Sequence, residues 1–131
     1  MDAEGARGQP VDAAETLYRF VTAASFWVAA ENRPSSSLFD DPPRVSVNVA
    51  SLTTMEKSRR QLVEELQKPD GGMVSFNCGQ ARHWGFDARH EPELNNPAHA
   101  HLYCDAMAPK QRKKSAQRLA RSCAVVIQPQ F

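Results

Sequence analysis

His99, His101 and Tyr103 stand at alternate positions in the stretch NNPAHAHLYC, Asn95 to Cys104, and together carry two imidazoles and a phenol. Alternate side chains of an extended segment project to one face. These three therefore share a surface, while Ala100, Leu102 and Cys104 share the other. Imidazoles titrate near neutral pH, and a phenol beside one can exchange a proton with it. Two imidazoles on one face also supply part of a metal site, with His83 or His90 as the third ligand. Nothing in the spacing places that third ligand, so the expectation is no metal and no cofactor.

A second set is Arg19 in LYRF, the triplet Ser35 to Ser37, and Glu91 with Glu93 in EPE. In order and type it resembles the arginine, serine, glutamate arrangement of one class of ADP-ribosyltransferases. That likeness implies that arginine and serine hold a dinucleotide while a glutamate aids transfer. The serines here follow Pro34 in a loop instead of standing on a strand.

The third set is cationic. Lys110, Arg112, Lys113, Lys114, Arg118 and Arg121 follow one another with no acid between them. On a helix they form a basic patch suited to phosphates, with Lys113, Lys114 and Arg118 at its centre. No aromatic array accompanies them for base readout.

The elements that must position these groups are short. At 131 residues the chain fits one domain with a core of its own. Sixteen lysines and arginines oppose 15 acids, which gives no general attraction to nucleic acid or an anionic membrane. Cys78, Cys104 and Cys123 are odd in number and set in apolar runs, the pattern of buried thiols in a reducing compartment. No apolar run is long enough to span a bilayer. These features predict a cytoplasmic protein with no membrane contact.

Residues 1–14, small and polar, read as a flexible tail before a single domain at 15–131. Strands are expected at Leu17 to Val21, Arg44 to Ala50, Met73 to Cys78, Phe86 to Arg89, His99 to Cys104 and Cys123 to Ile127, the last covered on both faces. Thr53 and Glu56 stand at capping-box spacing before a helix over 54–67 whose apolar face is Met55, Leu62, Val63 and Leu66. A second helix follows Pro109 over 110–121 and faces Ala116, Leu119 and Ala120 inward. The predicted class is α+β: a mixed sheet of roughly five short strands with two main helices.

With RPSSSLF at Arg33 to Phe39, VSVN at Val45 to Asn48 and NPAHA at Asn96 to Ala100, the chain resembles a set of small bacterial proteins of unassigned function. They pair an RPSS loop with an SV strand, a late PAHA turn and a basic helix. The likeness implies no activity, but it sets the Arg33 loop beside the His99 turn. The leading expectation is a binding or accessory module for a protein partner. Its contact surface is Arg33, Ser35 and Ser36 together with His99, His101 and Tyr103.

Overall fold

The computed structural model describes residues 7–68 and 71–130. In chain order its strands are β1 (Gln9–Pro10), β2 (Thr16–Phe20), β3 (Trp27–Val28), β4 (Arg33–Pro34), β5 (Arg44–Val49), β6 (Met73–Asn77), β7 (Asp87–His90), β8 (His99–Tyr103) and β9 (Ala124–Ile127). Its helices are α1 (Met55–Arg60), α2 (Cys78–His83) and α3 (Pro109–Ser122). Seven strands form one sheet in the order β1-β7-β8-β5-β2-β6-β9, and β3 with β4 makes a separate two-stranded ribbon. Every pairing in the large sheet is antiparallel.

The α+β class stands, but the sheet has seven strands instead of five and is antiparallel instead of mixed. The short terminal strand is the source of part of the difference. Gln9 pairs with His90 and Pro10 with Arg89, and Val11 is buried in the core. A proline is tolerated at such an edge because no ladder bond is asked of its nitrogen. Residues 9–11 thus belong to the sheet and the core instead of a flexible tail; residues 1–6 lie outside the described residues.

Sheet faces are set by alternation. Val45, Val47 and Val49 of β5 point into the core with Leu17, Phe76, Ala100 and Leu102, and α3 covers them with Ala116, Leu119 and Ala120. Leu38 and Phe39 complete this side, and the Phe39 ring meets Phe76 edge-on at 5.3 Å. Apolar area removed from water is the main source of this layer's stability. β9, expected to be covered on both faces, pairs only with β6 at the sheet edge, and its side chains stay partly exposed. α3 carries the chain from β8 to β9 past three intervening strands, and the antiparallel alternation makes those two strands parallel to each other.

The opposite face carries Ser46 and Asn48, opposite His101 and His99 of β8. α1, the segment 61–66 and the loop after Glu91 border its cleft, and Arg7 lies over Tyr103 at its other end. Thr54, not Thr53, caps α1: its hydroxyl accepts from the Lys57 amide at 3.0 Å. Thr53 instead meets the Ser58 hydroxyl at 3.1 Å. After Arg60 the helix widens, and the Leu66 amide reaches the Gln61 carbonyl five residues back. The expected apolar face is mostly unpacked, with Leu62 buried but Met55 41 % and Leu66 59 % exposed.

Gly72 enters β6 at φ +88°, a region disfavoured for other residues, and a Cβ there would lie 2.5 Å from the Ile127 carbonyl oxygen. Gly72→Ala should lower the unfolding free energy by more than about 1 kcal/mol. An unchanged urea midpoint would contradict this picture of the β6–β9 edge.

Candidate functional site

Glu91 organises the polar face of β8. Its amide donates to the His99 carbonyl at 3.1 Å, and its own carbonyl accepts from His99 Nδ1 at 2.9 Å. Its Oε1 accepts from His101 Nδ1 at 3.0 Å and from the Tyr103 hydroxyl at 2.6 Å. A carbonyl and a carboxylate are acceptors only, so both imidazoles present Nδ1–H to Glu91. In the neutral rings both Nε2 atoms are then acceptors. The two rings meet edge-on at 4.6 Å, and Arg7 lies 3.9 Å over the Tyr103 ring.

Burial raises the Glu91 pKa, but the hydrogen bonds from Tyr103 and His101 outweigh it and hold the carboxyl below its usual range. Burial is the main reason that His101 lies below an ordinary imidazole, with His99 and Arg44 adding to it against the opposing pull of Glu91. Burial, then the bond to Glu91, pushes the Tyr103 phenol up. The trio therefore rests as carboxylate, neutral imidazole and neutral phenol near neutral pH.

His99 and His101 line a cleft of about 570 Å³ between the sheet, α1 and the loop at 93–96. Its floor adds Ser46 and Asn48, and its walls are Tyr18, Phe20, Leu62, Leu66 and Leu94. Asn48 holds both walls: its amide donates to Ser58 of α1 at 3.0 Å, and its Oδ1 accepts from Asn96 at 2.8 Å. Gln61 adds a bond to the Asn95 carbonyl at 2.6 Å. Glu93 brings Oε1 to 3.8 Å from His99 Nε2.

The other candidate residues lie elsewhere. Arg33 pairs with Glu31 at 2.6 Å and donates to the Pro34 carbonyl at 3.0 Å. The Ser35 hydroxyl meets Ser37 at 2.7 Å, and Ser36 opens a tight turn. That turn packs against α3 on the core side of the sheet, so the structure separates the Arg33 loop from the His99 face instead of joining them. The antiparallel stacking is the reason, because β5 and β8 put the imidazoles on the side away from α3.

Arg19 also belongs to the core side. It donates to the Leu38 carbonyl at 3.1 Å and the Ser46 carbonyl at 2.9 Å, and burial lowers its pKa to about 10 against an opposing pull from Asp41. Arg19, Ser35 to Ser37 and Glu91 or Glu93 do not converge on one cavity. Among the described residues no group of three His, Cys, Asp or Glu is placed to hold a metal ion; His83 is exposed on α2, and His90 contacts the Pro97 carbonyl at 2.7 Å. On α3, Lys113, Lys114 and Arg118 are exposed, whereas Arg112 is tied to Asp40 at 2.6 Å.

Sequence reasoning missed Asn48, Ser58 and the wall residues Tyr18 and Phe20. A signal existed for two of them: Asn48 shares the polar phase of RVSVNVA, and Ser58 interrupts the apolar stripe of Met55 and Leu62. Comparison with family models, with curated proteins and with solved structures returned no match for this chain.

A depressed imidazole pKa means that the unfolded chain takes up the proton first as pH falls. The His101 contribution is therefore present above about pH 6.5 and lost below it. Glu91 acts in the same direction at lower pH, below its ordinary 4.5. An NMR titration should place the His101 midpoint below 6.5. Glu91→Gln removes a pull that raises it, so the midpoint should fall further; a rise would contradict the arrangement.

Proposed function

We propose that the protein is a binding module whose ligand occupies the cleft above His99 and His101. The observation that carries this reading is the combination of concavity, apolar walls and a fixed polar floor. About 300–1,000 Å³ is the ordinary size of a small-molecule site, and such sites set a few polar groups among apolar walls. Leu94 is 99 % exposed and Leu66 59 %, an arrangement that costs hydration unless something covers them. Buried side-chain polar atoms are all hydrogen-bonded among the described residues, so the floor is built before any ligand arrives. Such preorganisation lowers the ordering cost of binding.

A fragment screen by amide and imidazole NMR tests it. Hits should move His99, His101 and Leu66 signals together, and joint His99→Ala and His101→Ala replacement should weaken them by about tenfold, the value of one or two lost hydrogen bonds. Hits that map elsewhere, or equal binding by the folded double variant, would reject the cleft.

A second reading rests on α3, whose exposed Lys110, Lys113, Lys114, Arg118 and Arg121 form a face of one sign. Nucleic-acid phosphates fit such a face. Retention of an oligonucleotide should fall steeply with salt, with the logarithmic slope reduced by about 0.9 for each contact removed by Lys113→Glu, Lys114→Glu or Arg118→Glu. Retention that ignores these reversals would eliminate it.

A further inference from the structure

Charge and hydrogen-bond polarity inside the cleft narrow the ligand. None of the described residues lining it is lysine or arginine, while Glu65 and Glu93 stand on its rim. Lys57 and Arg60 line an adjoining notch of about 110 Å³ that shares Gln61, Glu65, Asn95 and Asn96 with the cleft. Arg7 and Arg44 are drawn instead to the Tyr103 ring, at 3.9 and 5.9 Å. Among the described residues, the lining of the cleft thus holds no lysine or arginine.

The two imidazoles of its floor also turn no Nδ1–H toward an anion. The Nδ1–H of each histidine is committed to Glu91, which leaves both Nε2 atoms as acceptors. With His99 neutral, its Nε2 and Glu93 Oε1 are two acceptors 3.8 Å apart. A charged N–H donor placed at that point satisfies both, and hydrogen bonds with an ionised partner are the stronger kind. Tyr18 and Phe20 give the same cleft aromatic walls, which attract organic cations through the ring faces.

Resting on the cleft being the binding site, we infer that its ligand is a small organic ammonium compound with an aryl or alkyl body. The ammonium sits among His99 Nε2, His101 and Glu93, and the body lies against Tyr18, Phe20 and Leu66.

Three compounds of nearly equal size separate charge from shape: 2-phenylethylamine, 2-phenylethanol and 3-phenylpropanoate. Each is titrated at millimolar concentration, at a pH where the imidazoles are neutral, into the intact protein observed by NMR. The amine should saturate and shift His99, His101 and Tyr18 signals, with the alcohol weaker by about tenfold and the acid weaker still. Glu93 is exposed and its backbone bridge to Asn96 does not involve the side chain, so Glu93→Gln should stay folded and weaken the amine selectively. If the alcohol or the acid binds at the same resonances as well as the amine does, the cleft stands and the cation assignment falls. The cation assignment falls equally if Glu93→Gln leaves the amine's affinity unchanged. If no compound of any charge moves these signals, the cleft itself is rejected together with its ligand class.

Discussion

The cleft depends on the side chain of Asn48. This amide, buried on the polar face of β5, donates to Ser58 on one wall and accepts from Asn96 on the other. Leaving a buried partner unsatisfied costs about 1–3 kcal/mol. Asn48 therefore ties α1 and the 93–96 loop to the sheet beside the burial of Leu62, the one large apolar side chain buried in the described segment 55–66.

That arrangement makes the two faces of the sheet unequal. On one side, Leu17, Leu38, Phe39, Leu102 and Leu119 are fully removed from water around α3. The other side has hydrogen bonds in place of close packing, and Glu91 is its second organiser. Through its backbone carbonyl and its carboxylate it holds the Nδ1–H of both imidazoles and seats the Tyr103 hydroxyl. Apolar burial on the first face is the main source of stability.

Much of the core was legible in the chain. The alternation of RVSVNVA and of HAHLYC assigned every side chain of β5 and β8 to its correct face, and Ala116, Leu119 and Ala120 of α3 are buried as their spacing predicts. Register between strands was not legible, because alternation sorts faces without naming neighbours. So the pairing of Ser46 with His101 and Asn48 with His99 emerged only in three dimensions. The resemblance, not the pattern of residues, placed the Arg33 loop beside the histidines; its Leu38 and Phe39 anchors bury on the α3 side. The role of Glu91 was equally hidden, since an acid in a polar loop looks solvated until a strand turns back beneath it.

The nitrogen spectrum of the two rings measures directly whether His99 and His101 form an acceptor-only floor. Long-range proton–nitrogen correlation on the labelled protein, recorded above the His101 titration, identifies which ring nitrogen of His99 and His101 carries the proton. The hydrogen bonds to Glu91 predict the Nδ1–H tautomer in both, with each Nε2 unprotonated. An Nε2–H tautomer at either histidine would break its bond to Glu91 and contradict the site as described.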